Sequence, residues 1–400
     1  MAATSDTIVE IPPPEAAPAE TTWWGLATVL LATIVGLVVF VSITEPRVAP
    51  VAWTREMGPT GSINLDSLVA TTDGFAVLSG MTTDGVLLWS STDGATWRSQ
   101  PLQGAPSQLA TVGDGLIAYG VRLGRMIAPD GEGWIESAEN IVFPDEVRSR
   151  QGSGRPSLVG AEDGLIAMSL FGDVWWSTDG TEFDKVVADP DWGPGVEITA
   201  LGDDTDQLPF DSVCRPPTRT SPDVPPLVET DSGFVAMISS NPAEPFGIWP
   251  VCEPQVWLSA DGRSWTELDS KLGDGAYVYN LAWRDGRFTA VGGFGIGEPA
   301  AWTSEDGHVW ELITSLTTLT GVDLYTVEAG PAAWVILGRD SEESDSIGWT
   351  SLDGTCWNPL PFEISGADTA ITSQHMVILD RTTYPEVWQG AITGGGGSCK

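Results

Sequence analysis

Histidine and cysteine are almost absent from this chain. Its 400 residues include two histidines and four cysteines, and no Cys/His spacing suits a zinc site. Basic residues are also scarce, since 18 lysines and arginines face 55 acids and leave a net charge of −37. A chain this acidic repels phosphate backbones, which excludes nucleic acid as the default partner. We expect no metal, no cofactor and no nucleic-acid ligand.

Intrinsic disorder of the chain as a whole is excluded as well. Only 18% of the residues are charged and 42% are hydrophobic, which is too apolar for a disordered acidic chain. The 19 tryptophans and 46 glycines instead indicate a turn-rich β protein packed with aromatic side chains.

One segment predicts a membrane anchor. Residues 25–43 read GLATVLLATIVGLVVFVSI, without a charge, and such a run can cross the roughly 30 Å hydrocarbon core. Trp23 and Trp24 precede it as interfacial anchors. A cleaved signal peptide is the alternative, but its apolar region is shorter and follows a basic start. We predict a disordered acidic tail at 1–22, a transmembrane helix at 23–43 and a linker at 44–50.

Two features of the sequence bear on the orientation of this anchor, and they point in opposite directions. Arg47 after the span favours placing the large C-terminal region inside, whereas four cysteines in that region favour an oxidising compartment. We expect a single-pass protein of the cell membrane with residues 51–400 on the extracytoplasmic side.

The rest of the chain is built on a repeat. Its copies read WSSTDGATW from Trp89, WWSTDGTEF from Trp175, WLSADGRSW from Trp257, WTSEDGHVW from Trp302, WTSLDGTCW from Trp349 and, in weaker form, MIAPDGEGW from Met126. A second element, such as TTDGFAVLSG from Thr71, precedes each copy. Asp-Gly between apolar runs predicts a hairpin with a type I′ turn. Two hairpins every roughly 40–50 residues predict one four-stranded blade of a β-propeller, with strands a to d.

The blade count closes on seven. Six repeats are complete, and a seventh from Ser373 lacks its strand d, which AWTRE at 52–56 can supply. This pairing covers an otherwise open edge. We therefore predict that residues 51–400 form an all-β, seven-bladed β-propeller of four-stranded antiparallel blades. The d–a and b–c loops emerge on one face, the top, and the hairpin turns on the bottom. Because the chain enters at the bottom near Val51, the top face points away from the membrane.

The repeats resemble Asp-box (BNR-type) repeats, which occur in sialidases and many bacterial propellers. The family pattern is Ser/Thr-x-Asp-x-Gly-x-Thr-Trp, and residues 91–97 read Ser-Thr-Asp-Gly-Ala-Thr-Trp, one residue shorter. The resemblance implies a propeller whose Asp boxes are structural turns remote from the active site. We assign the repeated aspartates to capping of their own turns: Asp93, Asp179, Asp261, Asp306 and Asp353. The Phe/Tyr-Arg-Ile-Pro segment of sialidases is absent, so no catalytic residue carries over.

Arginines concentrate in the predicted top loops of blades 2 to 4. They are Arg122, Arg125, Arg148, Arg150, Arg155, Arg215 and Arg219. Guanidinium groups suit carboxylate, sulfate or phosphate, which suggests an anionic ligand or an acidic partner on this face. The alternative is that they neutralise local acids such as Asp145 and Glu146. Asp203, Asp204 and Asp206 could likewise bind calcium, although solvated acids explain them as well.

The cysteines lie in two pairs in the predicted fold. Cys214 and Cys252 belong to top loops of blade 4, whereas Cys356 and Cys399 lie at the bottom of blades 6 and 7. Four cysteines allow three connectivities, and this placement favours disulfides 214–252 and 356–399.

These observations support three functional hypotheses. The leading one is a non-enzymatic binding or scaffold module whose top face recognises a glycan or a protein. A sialidase-like glycoside hydrolase is the second, and it requires arginine, tyrosine and carboxylate side chains clustered in the central channel. A structural subunit of an envelope complex is the third. The fold alone does not choose between them.

Overall fold

The computed structural model describes most of the repeat region. The described residues are 51–57, 65–80, 85–120, 123–129, 133–143, 157–161, 164–168, 174–178, 182–186, 226–238, 254–294, 298–316, 321–340, 346–362, 364, 367–380 and 386–392. The predicted tail, membrane segment and linker at 1–50 lie outside them. No helix in the described part of the chain has the length and apolarity to cross a membrane.

The described part of the chain consists mainly of β-strands. The first half contains β1 (Val51–Met57), β2 (Leu65–Thr71), β3 (Gly74–Ser79), β4 (Val86–Ser91), β5 (Arg98–Leu102), β6 (Gln108–Val112), β7 (Gly115–Tyr119), β8 (Leu123–Pro129), β9 (Trp134–Val142), β10 (Ser157–Ala161), β11 (Gly164–Met168), β12 (Val174–Ser177) and β13 (Asp184–Lys185). The second half contains β14 (Leu227–Thr230), β15 (Gly233–Ile238), β16 (Gln255–Ser259), β17 (Thr266–Leu268), β18 (Ala276–Arg284), β19 (Arg287–Phe294), β20 (Glu298–Ser304), β21 (Glu311–Leu312), β22 (Val322–Ala329), β23 (Trp334–Asp340), β24 (Ser346–Ser351), β25 (Asn358–Pro359), β26 (Ala367–Ile371), β27 (His375–Asp380) and β28 (Glu386–Ile392). A 3₁₀ turn covers Thr314–Leu316.

These strands form seven four-stranded antiparallel sheets. Blades 1 to 6 are built from consecutive strands, beginning with β2–β5 and ending with β22–β25. The innermost strand of each blade contacts the innermost strand of the next, and β26 of blade 7 contacts β2 of blade 1. The ring of blades is therefore closed, which confirms the predicted all-β, seven-bladed propeller.

The last blade takes its outer strand from the start of the repeat region. β1 pairs antiparallel with β28 from Val51↔Ile392 to Met57↔Glu386. Side chains reinforce the pairing, because Phe362 stacks on Trp388 with ring centroids 3.8 Å apart and Trp53 meets Phe362 edge-on. Val51 lies at the bottom end of this blade, as the sequence predicted.

The hydrophobic core is divided into seven clusters, one in each seam between neighbouring blades. The largest fully buried side chains are tryptophans on strands b and c, namely Trp175, Trp257, Trp302 and Trp334. Burial of such a side chain stabilises the fold by about 1.5–3 kcal/mol. Each blade has two apolar faces, so it is buried only between two neighbours.

The a–b turns differ from the prediction. A type I′ turn needs positive φ at both central residues, and of the described turns the one at Asp285 (φ 49°) and Gly286 (φ 77°) meets this condition. In blade 1 the turn residues are Thr72 and Asp73, and Gly74 already belongs to β3. A side chain on Gly74 would collide with the carbonyl of Ser91 on the next strand. Glycine is therefore needed there for close backbone approach rather than for the turn.

The c–d turns are built around an aspartate. The carboxylate of Asp93 accepts hydrogen bonds from the backbone N–H groups of Ala95 and Thr96, at 2.9 and 2.8 Å. The indole N–H of Trp97 donates to the carbonyl of Gly94 at 3.0 Å. The same bonds recur around three further aspartates: Asp261, Asp306 and Asp353. Asp179 lies outside the described residues.

Each described Asp turn also packs on the preceding blade. Gly94 of blade 1 faces Val377 and Gln389 of blade 7, and Gly262 of blade 4 faces Ile166 and Trp176 of blade 3. The side-chain amide of Gln389 donates to the carbonyl of Asp93. The turn therefore ends one hairpin and holds two blades together.

Substitution of Asp93 by Ala should lower the free energy of unfolding by about 1–2 kcal/mol, because two backbone donors lose their acceptor. Partial burial raises the pKa of Asp93, but bonds from Thr96, Ala95 and Ser91 outweigh it and hold the pKa below its usual value. The stabilisation is thus present at neutral pH and is lost as the pH falls through that lowered pKa. Urea unfolding from pH 7 to pH 3 measures it. Asp93→Asn is the matched control and should retain part of the effect, whereas equal stability of wild type and Asp93→Ala at pH 7 would contradict this role.

Candidate functional site on the top face

Arg125 is the member of the predicted arginine group that the structure describes. It lies within β8, the third strand of blade 2, and not in the preceding loop as the sequence suggested. A register shift in the β8–β9 pairing follows it. The other six arginines lie outside the described residues: Arg122, Arg148, Arg150, Arg155, Arg215 and Arg219.

Arg125 forms an ion pair across the sheet. Its guanidinium donates to a carboxylate oxygen of Glu136 on β9 at 2.6 Å, and the two side chains are 30% and 18% exposed. The backbone N–H of Gln103, from the loop that joins blade 1 to blade 2, donates to the other oxygen at 3.4 Å. The charge of Arg125 is therefore balanced by Glu136, an acid that the sequence analysis did not single out. Asp145 and Glu146 lie outside the described residues.

This ion pair lines a cavity of about 380 Å³ in the seam between blades 1 and 2. Residues 102–107 form one side of the cavity, and the other is formed by Ala118, Gly120, Arg125, Ile127 and Glu136. The backbone N–H of Ser107 donates to the carbonyl of Tyr119 at 2.8 Å, which ties the loop to blade 2. A cavity of this size with a few convergent polar groups suits a small ligand or one side chain of a partner.

The blades on either side of the cavity are held together at their outer edge. The side-chain amide of Gln100 on β5 donates to the carbonyl of Trp134 on β9 at 2.6 Å, and its oxygen accepts from the Trp134 N–H at 3.4 Å. Nearer the centre, the hydroxyl of Ser67 accepts from the N–H of Leu109 at 3.1 Å. The cavity is therefore preformed between two fastened blades.

A second polar region lies along the central channel. Glu328 on the inner strand β22 retains exposed surface, yet burial by the surrounding strands, with the nearby Asp368 carboxylate, raises its pKa to about 8. Asp368 belongs to β26, the next inner strand. A carboxyl group that stays protonated at neutral pH can donate a hydrogen bond or a proton.

The remaining predicted residues lie elsewhere or outside the described part. The four described Asp-turn carboxylates are on the bottom, opposite the cavity. Cys356 lies in one of these turns and is disulfide-bonded; Cys214, Cys252 and Cys399 lie outside the described residues, so the pairing stays a prediction. Among the described residues, no cluster of three or more His, Cys, Asp or Glu side chains could hold a metal ion, and Asp203, Asp204 and Asp206 are not among them.

Comparison with known proteins supports the fold alone. No family model and no curated protein matches the chain, so the Asp-box resemblance stays a prediction. Virginiamycin B lyase from Staphylococcus aureus is similar in structure, with a TM-score of 0.52 at 8% identity over 86% of this chain and 100% of that one. The RRP9 WD40 repeats match with a TM-score of 0.47 at 10% identity, over 85% of this chain and 97% of that one. BamB from Moraxella catarrhalis matches with a TM-score of 0.43 at 7% identity, over 84% of this chain and 85% of that one.

The Arg125–Glu136 pair should contribute measurably to stability because both side chains are half-buried. A double-mutant cycle of Arg125→Gln and Glu136→Gln should give a coupling energy of about 0.5–1.5 kcal/mol in urea unfolding. The pair of Arg287 and Glu305 is the matched control and should give less, because its atoms are 3.3 Å apart and the side chain of Glu305 is 81% exposed. A coupling energy near zero at Arg125–Glu136 would contradict this contribution of the pair to stability.

The raised pKa of Glu328 predicts a pH dependence of stability. Between its ordinary value of 4.5 and about 8, the folded protein holds this proton and the unfolded chain releases it, so stability falls as the pH rises through that window. Glu328→Gln should remove this part of the decline, whereas the same change at Glu311, an exposed residue of β21, should not. The test is urea unfolding at pH 5, 6.5 and 8; parallel curves for wild type and Glu328→Gln would refute the raised pKa.

Proposed function

We propose that this protein is a membrane-anchored, extracytoplasmic β-propeller that acts as a non-enzymatic binding or scaffold module for a glycan or a protein. The membrane anchor is the predicted helix at 23–43. The partner would bind the top face, which is opposite the end where the described chain enters the propeller, near Val51. Asp-box ancestry of the repeats is part of the same proposal.

The observation that carries this proposal is the cavity between blades 1 and 2. It combines a guanidinium, a carboxylate and backbone groups in about 380 Å³, and its walls are fixed by the Gln100–Trp134 bonds. Arg125 is already paired inside it. Anion recognition would therefore depend on the arginines that the sequence predicts in top loops at 122, 148, 150 and 155, and Arg125 would orient Glu136 toward the partner.

The experiment is a binding screen with the full chain in lipid nanodiscs, using a glycan array and crosslinking pull-down. One variant combines Arg122→Ala, Arg148→Ala, Arg150→Ala and Arg155→Ala, and leaves the Arg125–Glu136 pair intact. A second carries lysine at the same four positions and keeps the charge while losing the planar fork. Binding should fall at least tenfold in the Ala variant and less in the Lys variant. Binding that is equal in all three proteins would place the partner elsewhere.

A glycoside hydrolase is the alternative that one observation favours. Burial and the nearby Asp368 carboxylate raise the pKa of Glu328 to about 8, and pairs of carboxyl groups serve as acid and base in glycosidases. A tyrosine nucleophile is disfavoured, because burial and the neighbouring Tyr279 and Asp323 raise the pKa of the Tyr277 hydroxyl. Fluorogenic glycosides, including a sialoside, test this reading. Turnover lost in Glu328→Gln would establish it in place of the binding role.

The third reading is a structural subunit of an envelope complex. It predicts one protein that co-purifies stoichiometrically with the chain and remains bound in the four-arginine Ala variant. A partner that requires these arginines favours the binding module.

A further inference from the structure

A tyrosine is the unpaired, extra residue of a β-bulge near the top of blade 5, and another is in the same position in blade 6. Both inner strands begin at the top face, and in each the pairing skips one residue near its start, Tyr279 in β18 and Tyr325 in β22. A bulge bends the strand and redirects the extra side chain, and bulges are frequent beside binding sites. The register shift occurs at the same depth in two neighbouring blades.

Tyr279 belongs to an aromatic pair. Its ring and that of Tyr277 have centroids 5.0 Å apart at an interplanar angle of 71°. Tyr277 is buried and its hydroxyl lies against Gly293 on β19, where a side chain would leave no room for it. Tyr279 stays half-exposed. The buried ring therefore supports an accessible one at the rim of the channel.

Two unpaired charges flank the tyrosines. Asp323 and Arg339 lie directly opposite each other in the β22–β23 pairing, and both are exposed. Neither forms an ion pair with any described residue, whereas Arg125, Arg284 and Arg287 all do. The guanidinium of Arg339 lies 6.0 Å from the ring centre of Tyr325, whose hydroxyl contacts Ser346 at 3.3 Å.

We propose that these five residues, Tyr277, Tyr279, Asp323, Tyr325 and Arg339, form a tyrosine rim that binds a neutral oligosaccharide. A sugar ring offers an apolar C–H face for an aromatic side chain. Its hydroxyls donate to a carboxylate and accept from a guanidinium. The rim supplies all three partners, and a net charge of −37 repels polyanionic glycans. This inference rests on the proposed binding function and adds a second site on the top face, separate from the cavity between blades 1 and 2.

The test uses the full chain in nanodiscs on an array of neutral gluco-, manno- and N-acetylglucosamine oligosaccharides, with uronic-acid and sulfated glycans on the same slide. Asp323→Asn, Arg339→Ala and Tyr279→Phe probe the rim. Asp73→Asn and Arg98→Ala are matched controls, since both are exposed and lie outside the rim. Wild type and controls should bind neutral glycans, and Asp323→Asn and Arg339→Ala should bind at least tenfold more weakly. Tryptophan fluorescence checks that every variant is folded.

Several outcomes overturn the inference. Neutral binding that survives in the rim variants but is lost in the four-arginine Ala variant would sustain the proposed function and place the site elsewhere. Binding of wild type to acidic glycans alone would show that the ligand is not a neutral oligosaccharide. No glycan binding by wild type would reject the rim as a sugar site, while pull-down of a protein partner would still sustain the binding module.

Discussion

A propeller blade is a sheet with two apolar faces, and both are buried only when the ring of blades is complete. This constraint explains why the first strand of the propeller, β1, pairs with the last strand, β28. Without that pairing, blade 7 would present an open edge, and the cluster between blades 6 and 7 would lose Val51 and Trp53. The Asp turns serve the same constraint, because each described turn closes its own hairpin and packs on the blade before it.

The architecture could be predicted from the sequence because every copy of the repeat predicts the same structural unit, a four-stranded blade. Tryptophans at the ends of strands c and d, and an aspartate between them, are enough to predict blades, their number and the closing strand. The detail of the Asp-Gly turns could not be predicted in the same way. Asp285–Gly286 forms a two-residue turn with positive φ, but in blade 1 the same dipeptide is shifted by one residue, so that Gly74 lies in a strand beside Ser91. The choice depends on the neighbouring strand, which the local sequence does not contain.

The candidate site was only partly predictable, and for a related reason. Arginine clusters on a predicted face point to a surface, but a charge is free or paired according to what lies across the sheet. Arg125 and Glu136 are eleven residues apart and meet only because β8 and β9 pair with a register shift. Tyr279 and Tyr325 gave no signal in the sequence, because a bulge is a property of the pairing between two strands. Glu328 likewise acquires its raised pKa from a ring of inner strands.

Ring closure by β1 is the central claim, and hydrogen exchange followed by mass spectrometry tests it most directly. In the full chain in nanodiscs, the amides of 51–57 that are hydrogen-bonded to 386–392 should exchange as slowly as those in the outer strands of the other blades, and the two segments should open together, because they share one ladder of hydrogen bonds. Rapid exchange in 51–57, with 386–392 behaving as an open edge, would contradict the closed propeller.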